Sequence, residues 1–379
     1  MALPQEQILE DDVMTPEGEA AVHAASQWQL MWWKFRKHRV AMAAGMVILC
    51  LYFVAVFCEV LAPYTLESRN VQYAFAPPQR LRLISDEGLH FWPFVYKLDG
   101  FRHPETLRKY YIENESVKYP LQLFVRGDTY RFWGLFKTNL HLYGVEEGGT
   151  MYLLGTDHLG RDLLSRIIYG SRISLTIGLI GVSLSFVFGL VIGVVSGYYG
   201  GWIDNVIQRC IEILRSFPSI PLWMALAAAL PASWSPLQVY MGITVVLSMI
   251  GWTGLARQVR GKILSLREED FATAALLAGA SRWRIMTRHL LPSFMSHIIV
   301  SLTLAVPGMI LGETSLSFLG LGLRPPVTSW GVLLKEAQNV QAVAFQPWLL
   351  TPVIFVIITV LAFNFVGDGL RDAADPYSR

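Results

Sequence analysis

The chain has 379 residues, of which 53% are hydrophobic and only 16% charged, and its mean hydropathy is +0.40. This composition excludes an ordinary soluble enzyme and indicates a membrane protein. The formal net charge is only +2 and the basic residues are clustered, so nucleic-acid binding is not indicated.

Residues 1–30 are polar and acidic, unlike a cleavable signal peptide, so we expect the first apolar run to remain as an anchor. The three cysteines are Cys50, Cys58 and Cys210. Their spacing predicts neither a disulfide nor a metal site, and we interpret them as small buried hydrophobic residues.

Five apolar runs reach the length of about 20 residues that a membrane helix needs. They lie at 40–61, 173–196, 237–255, 293–312 and 348–366. A sixth segment, 206–231, begins amphipathically and is broken by Pro218 and Pro221. We count it as a span that protrudes on one side of the membrane, because neighbouring helices can cover the carbonyls that proline leaves free.

Basic residues beside the spans predict the orientation. A basic cluster at residues 34–39 directly precedes the first span and places the N-terminus in the cytoplasm, and six spans return the C-terminus there. The connection after the fourth span carries seven Lys and Arg residues at 257–288. This connection lies in the cytoplasm only if segment 206–231 is counted as a span, so its charges support a total of six spans.

Region 63–150 is then extracytoplasmic. Its aromatic stretches at 121–124 and 130–136, interrupted by Gly127 and Gly134, predict short strands, and 104–111 predicts one or two helical turns. A domain of this size without disulfides is marginally stable. We therefore expect a small mixed α/β insertion that packs on the membrane domain or on a partner.

The segment GTDHLGRDLLSRIIYGSRISL begins at residue 155, before the second span. We expect Thr156 or Asp157 to cap an amphipathic helix whose Arg161, Arg166 and Arg172 face water or headgroups.

Within the spans, small and polar residues suggest two roles. Gly189, Gly193 and Gly197 recur every fourth residue in the second span and predict close approach of another helix. The two prolines of the third span either kink it for packing or unwind it beside a translocation path. Glu313 ends an otherwise uncharged span and is either a pathway or an interfacial residue. The candidate path residues are Pro218, Pro221, Glu313 and Ser315.

The segment EEDFATAALLAGASRWRIMTRHLLP, at 268–292, predicts a helix, a turn and a second helix that protrude into the cytoplasm. Glu269 and Asp270 favour the helix start, and Gly279 ends it. Its small residues predict a face that another surface can approach closely. These residues are Ala272, Ala274, Ala275 and Ala278.

The same segment resembles the EAA loop of binding-protein-dependent ABC importer permeases, in which small residues, a glycine and a later Leu-Pro pair form the coupling helix that docks on the ATPase. Thr273 occupies the position usually held by glutamate. The residues that this resemblance assigns to ATPase coupling are Thr273, Ala274, Ala275, Gly279, Ala280, Arg282, Leu291 and Pro292.

Two further blocks, GTDHLGRD and ETSLSFLGLGLRPPVTSWG, and the tail NFVGDGLRDAADP resemble the C-type subunits of oligopeptide, dipeptide and nickel importers. The resemblance implies an all-α polytopic permease of six transmembrane helices in a bacterial inner membrane, with the insertion added. The expected partners are a second homologous permease, two ABC ATPases and a periplasmic solute-binding protein. The expected segments are a cytoplasmic N-terminus 1–39, a first helix 40–62, an insertion 63–150, a permease core 151–370 with coupling loop 257–292, and a cytoplasmic tail 371–379.

The sequence predicts no catalytic residue, no metal site and no cofactor. Its only Gly-Lys pair, Gly261-Lys262, lacks the upstream glycine and the following Ser or Thr of a phosphate-binding loop, so ATP and Mg²⁺ are expected on partner subunits. No nucleophile elbow or HExxH motif is present. We therefore expect a transport subunit and not an enzyme.

Two other classes of protein fit the sequence less well. An ion-coupled secondary transporter normally has charged residues at mid-membrane, whereas here the spans hold mainly His297. An enzymatic domain at 63–150 lacks a convergent acid, base and nucleophile. For an importer, peptide-like cargo is the first expectation, and oligosaccharides or opines, such as galactosides, are the alternative.

Overall fold

The computed structural model describes residues 27–374 except 87, 106–108 and 147, so most of the predicted N-terminal segment and the end of the tail lie outside the described residues. The α-helices are α1 (Gln27–Lys37), α2 (Arg39–Val56), α3 (Cys58–Leu61), α4 (Leu163–Tyr199), α5 (Gly201–Ser216), α6 (Ser219–Ala228), α7 (Pro236–Leu266), α8 (Asp270–Leu277), α9 (Arg282–Arg284), α10 (Leu291–Ser293), α11 (Met295–Phe318), α12 (Trp330–Glu336), α13 (Val340–Phe345) and α14 (Thr351–Ala374). Short 3₁₀-helices occupy Val71–Tyr73 and Pro347–Leu350, and a π-helix occupies Ile285–Leu290.

Within the described residues, five helices are long and apolar enough to cross a membrane: α2, α4, α7, α11 and α14 with its preceding 3₁₀ turn. They coincide with the five clear predicted spans. The pair α5 and α6 makes a sixth only if it is counted as one broken span, since its halves meet at 88°. Pro218 lies at this break, and α6 alone, at about 15 Å, spans only half of a bilayer core.

The glycine row of the second span packs against another helix, as predicted. A Cβ added at Gly189, Gly193 or Gly197 would lie only 2.7–2.9 Å from the backbone oxygens of residues 252, 256 and 260 of α7. Both the glycines of α4 and the facing residues of α7 recur every fourth position. The backbones of the two helices therefore approach closely over two turns.

The insertion consists of antiparallel strands. The first sheet has the order β1 (Arg82–Ser85), β2 (Gly88–Arg102), β3 (Lys109–Pro120), and a separate hairpin joins β4 (Gln122–Phe132) to β5 (Phe136–Gly144). The predicted strands are confirmed but are longer than expected. The prediction of helix at 104–111 is wrong for residues 109–111, which begin β3 and pair with β2, while 106–108 lie outside the described residues. The only helical turn among the insertion's described residues is the 3₁₀-helix Val71–Tyr73, so the mixed α/β expectation is corrected to an antiparallel sheet.

Hydrogen bonds fasten the insertion to the membrane helices. The buried ring of His141 on β5 lies 2.6 Å from the carbonyl oxygen of Ala62, just after α3, and 3.0 Å from that of Asp128. The indole N–H of Trp133, in the β4–β5 turn, donates to the carbonyl of Val56 at the end of α2 at 2.9 Å. The insertion therefore packs on the membrane domain.

Two cysteine interpretations need correction. Cys58 is buried, whereas Cys50 and Cys210 are exposed on the surface of this chain. Cys50 lies on α2, whose most apolar stretch is only 17% buried within the chain and offers its side chains to lipid or to another subunit.

Candidate coupling loop and the clusters that support it

The turn after α8 is a Schellman motif centred on Gly279. The backbone N–H of Ala280 donates to the carbonyl of Ala275 at 3.0 Å, and that of Gly279 donates to Leu276 at 3.0 Å. Gly279 has φ of 79°, a left-handed conformation that glycine adopts without a steric penalty. The predicted helix end is therefore confirmed, and Ala275 and Ala280 supply its closing hydrogen bond.

The second helical segment starts two residues later. The Ser281 hydroxyl accepts from the backbone N–H of Arg284 at 3.3 Å and caps it. The segment then passes through the π-helix to Leu291 and Pro292 and enters α11 at Met295. Pro292 lies at the first turn of a new helical piece, where its missing N–H costs little.

One side of the loop is buried against the end of α7. Ala272 of α8 packs with Ile285, Met286 and Leu290 and with Ile263 of α7 in one apolar cluster. The expectation that Ala272 belongs to the free small-residue face is wrong: because it lies on the inner side of α8, it fixes the loop to the span instead.

The other side of the loop is solvent-exposed and partly apolar. Thr273, Ala274, Ala278, Gly279 and Arg282 are exposed, and Ala275, Ala280 and Leu291 are half-buried. Beside them lie Leu276, Trp283 and Leu277, of which Leu277 is 84% exposed. Sequence reasoning missed these three large residues, although exposed leucine and tryptophan on a loop between spans indicate a docking surface.

An ion pair fixes α5 to α7 close to this loop. Arg260 of α7 donates from Nε and Nη2 to the two carboxylate oxygens of Asp204, both at 2.5 Å, and the Ser196 hydroxyl also donates to Asp204. Because the two hydrogen bonds of this pair are parallel, they fix the orientation of α5 relative to α7 as well as holding the helices together. The pair therefore links the first half of the broken span to α7.

The GTDHLGRD segment forms a buried charge cluster. The fully buried Asp157 carboxylate accepts from Arg161 at 2.6 Å and from Arg166 at 2.5 Å, and Arg166 also donates to Glu336 of α12 at 2.7 Å. The expectation that these arginines face water or headgroups is wrong. Their acidic partners come from a distant part of the chain and from a tight turn, which residue spacing does not reveal.

The helix cap of this segment also differs from expectation. Asp162, and neither Thr156 nor Asp157, caps α4 by accepting from the Ser165 backbone N–H at 2.7 Å. Asp157 instead accepts from the backbone N–H groups of Leu159 and Arg161, which closes the preceding turn. Burial raises the pKa of the Asp162 carboxyl to about 7.

Asp157, His158 and Glu336 lie close enough to hold a metal ion. However, the guanidinium groups of Arg161 and Arg166 already take oxygens of both carboxylates. A positively charged neighbour competes with a cation for the same oxygens, so we interpret the cluster as structural.

Arg172 likewise points to protein and not to water. It donates to both oxygens of Glu59, at 2.5 and 2.6 Å, and its guanidinium lies 4.2 Å from the ring centre of Trp133. It thus joins α4, α3 and the β4–β5 hairpin.

The four candidate path residues lie in different environments. Glu313 is fully buried and one of its oxygens accepts from the hydroxyls of Ser317 and Ser329, at 2.7 and 2.6 Å, which folds the 313–331 segment back on α11. Ser315 is half-buried, whereas Pro218 and Pro221 are exposed. The four residues therefore differ in how far they are exposed within the chain.

A groove of about 290 Å³ lies between α4, α6, α7 and α11. Trp223, Gly254, Gln258 and Gly308 are among its lining residues. The indole N–H of Trp223 is buried and has no hydrogen-bond partner among the described residues. No sequence motif marked this groove, since it forms where four separate helices meet.

The long apolar helices and the capped loop between them define a polytopic membrane protein. The family model for binding-protein-dependent transport system inner membrane components matches residues 189–379, half of the chain, and a model for the N-terminal transmembrane domain of oligopeptide transport permease C matches residues 26–78. The chain belongs to this family of inner membrane permeases, which work with ATPase and binding-protein partners.

Several permeases are similar over long stretches. A dipeptide transport system permease of Lactococcus lactis is 32% identical over 359 residues, covering 93% of this chain and 91% of the relative. An oligopeptide permease of Haemophilus influenzae is 42% identical, covering 60% and 71%, and a glutathione permease of Pectobacterium atrosepticum is 38% identical, covering 61% and 75%. The first alignment is long enough to include most of the insertion.

Proposed function

We propose that this chain is one permease subunit of an ATP-driven importer of peptides or peptide-like solutes. The similar permeases are transporters of dipeptides, oligopeptides and glutathione, all of which are peptides. These relatives favour peptides over the oligosaccharide and opine alternative. A second homologous permease, two ABC ATPases and a periplasmic solute-binding protein complete the proposed assembly.

The observation that carries the coupling proposal is the rigid, partly apolar outer face of the loop. The Schellman turn and the Ser281 cap fix its shape, and Leu276, Leu277 and Trp283 project from it. An apolar patch held on a rigid scaffold suits a cleft on another protein. The ATPase is the proposed occupant, and ATP and Mg²⁺ bind there, with no cofactor on this chain. This arrangement places the loop and both termini in the cytoplasm.

Coupling would proceed through α7. Closure of the ATPase pair moves the loop, the apolar cluster around Ala272 carries that movement to α7, and the Asp204–Arg260 pair carries it to α5 and the break at Pro218. We propose that cargo passes along the groove beside Trp223, with Pro218 and Pro221 at its moving wall. Glu313 and Ser315 then support the wall from behind.

The test replaces Leu277 with aspartate in the assembled transporter. Leu277 makes little contact within the chain, so the variant should fold normally, while a charge at the centre of an apolar contact should weaken ATPase attachment strongly. Co-purification of the ATPase, stimulated ATP hydrolysis and peptide uptake should all fall.

The matched control is Leu237→Asp. Leu237 is also a highly exposed leucine, at the opposite end of α7, about 45 Å away along the helix. It should leave ATPase attachment unchanged. Normal attachment and uptake in Leu277→Asp, or equal losses in both variants, would refute the docking surface.

Cargo class is tested separately with reconstituted wild-type transporter and its binding protein. Unlabelled tripeptides should compete with uptake of a labelled tripeptide, and a galactoside trisaccharide should not. Accumulation of the trisaccharide alone would overturn the peptide proposal while leaving the coupling proposal intact.

A further inference from the structure

The turn that joins β4 to β5 has an unusual conformation and composition. Its residues run Phe132, Trp133, Gly134, Leu135, Phe136, and the Leu135 backbone N–H donates to Phe132 at 2.9 Å. Trp133 has φ of 48° and Gly134 has φ of 75°. A tryptophan in the left-handed region is an outlier, and such strain persists only where other contacts hold it.

Those contacts place the turn at the end of the first span. The Trp133 indole N–H donates to the carbonyl of Val56, the last residue of α2, at 2.9 Å, and its backbone N–H donates to Glu59 at 3.4 Å. The guanidinium of Arg172 on α4 lies 4.2 Å from the centre of the same ring. The turn is therefore fixed at the depth where the first apolar helix ends.

A row of aromatic rings connects the turn with the apolar surface of α2. Ring centres are 4.8 Å apart from Phe53 to Phe57, 6.2 Å from Phe57 to Phe132 and 5.5 Å from Phe132 to Phe136. At the far end of the row Leu135 is 81% exposed and Phe136 is 57% exposed. The membrane-facing surface of the span thus continues onto the hairpin without a polar break.

Two basic residues stand directly behind this apolar tip. Arg131 and Lys137 are paired across the strands and both are exposed. Like charges opposite each other weaken a hairpin, unless an anionic surface faces them. Apolar and aromatic residues at a tip with cations behind it are the composition of segments that lie in a membrane interface.

We propose that the tip of the β4–β5 hairpin, residues 132–136, inserts into the lipid leaflet beside the end of α2, with Arg131 and Lys137 facing lipid phosphates. The insertion would then have its own membrane contact and would be held at a fixed height above the permease core. This proposal depends on α2 spanning the membrane and not on the identity of the cargo.

The test measures immersion of single spin labels in the full transporter reconstituted in bilayers that contain phosphatidylglycerol. Cys50, Cys58 and Cys210 are first replaced by alanine, and labels are then placed at Leu135→Cys, at Leu89→Cys and at Leu49→Cys. Leu89 lies beside the β1–β2 turn and is 80% exposed, and Leu49 lies on the outer surface of α2. They serve as the aqueous and the lipid reference.

The label at 135 should be several-fold more accessible to oxygen than to a water-soluble nickel complex, as at 49, with the opposite ratio at 89. A ratio at 135 like that at 89 would overturn the proposal. So would protection from both reagents, which would mean that a protein subunit covers the tip.

The basic pair is tested in the same samples. Arg131→Gln with Lys137→Gln should shift the label at 135 several-fold toward nickel accessibility in phosphatidylglycerol bilayers, because the attraction to anionic lipid is lost. An unchanged ratio would refute the role of these two residues.

Discussion

Gly279 adopts a left-handed conformation in open space, since an added Cβ would meet no atom within 4 Å. The effect of Gly279→Ala is therefore conformational and not steric, and it should disfavour the Schellman turn by roughly 1–2 kcal/mol. We expect a looser angle between α8 and the following segment, with reduced ATP-driven uptake in an assembled transporter.

The matched control is Gly261→Ala. Gly261 also has open space around it but lies within α7, where alanine favours the helix by about 1 kcal/mol. Its thermal stability and uptake should equal or exceed those of the wild type. If both alanine variants behave alike, the turn conformation at 279 is not important for coupling.

Asp162 predicts a pH dependence of stability. Its pKa is raised from the ordinary 3.8 to about 7, so between these values the folded state holds a proton that the unfolded state has released. The contribution to stability is therefore present below about pH 4 and is lost as the pH rises toward 7. Asp162→Asn keeps the capping oxygen but cannot titrate. Thermal unfolding between pH 4.5 and 7.5 should show a flatter profile in this variant, and parallel profiles would contradict the assignment.

At the scale of elements, the contact between α4 and α7 depends on the absence of side chains. A Cβ at Gly193 would lie 2.7 Å from the carbonyl oxygen of Ala256, so Gly193→Ala must push two backbones apart. We expect a loss of about 1–3 kcal/mol of stability, as for other overpacked sites. Gly254→Ala on α7 is the control, since nothing lies within 4 Å of it. The melting temperatures of both variants are measured in lipid nanodiscs, and equal values would refute close packing.

Much of the architecture was predictable because its signals are local in sequence. The spans follow from hydropathy over about 20 residues, the loop turn from the left-handed preference of glycine at 279, and the α4–α7 contact from a glycine repeat. The break at Pro218 was also expected, although its 88° angle depends on neighbouring helices.

The wrong predictions have a different cause. They concern contacts between residues that are far apart in the chain. Arg166 and Glu336 lie 170 positions apart, so spacing alone assigns Arg166 to water. Likewise, the sequence assigns Ala272 to an exposed alanine face, whereas in the fold this residue packs against the end of α7. For the candidate site, the outline of the loop was predictable, whereas its exposed apolar residues and the groove beside Trp223 required the fold.

At the scale of the whole molecule, the Arg166–Glu336 pair joins α4 to α12, two helices that are far apart in the chain. The Arg166 side chain is 2% exposed, so removal of Glu336 leaves Asp157 as the only acidic partner for the buried guanidinium groups of Arg161 and Arg166. Glu336→Gln should therefore destabilise the chain by roughly 3–5 kcal/mol, the usual cost of breaking a buried pair.

The control is Glu212→Gln, which breaks the exposed Arg209–Glu212 pair and should cost under about 0.5 kcal/mol. The melting temperature and the uptake at a permissive temperature are measured for both variants, and only Glu336→Gln should melt at a clearly lower temperature. If Glu336→Gln melts like Glu212→Gln, the cluster does not hold α4 and α12 together.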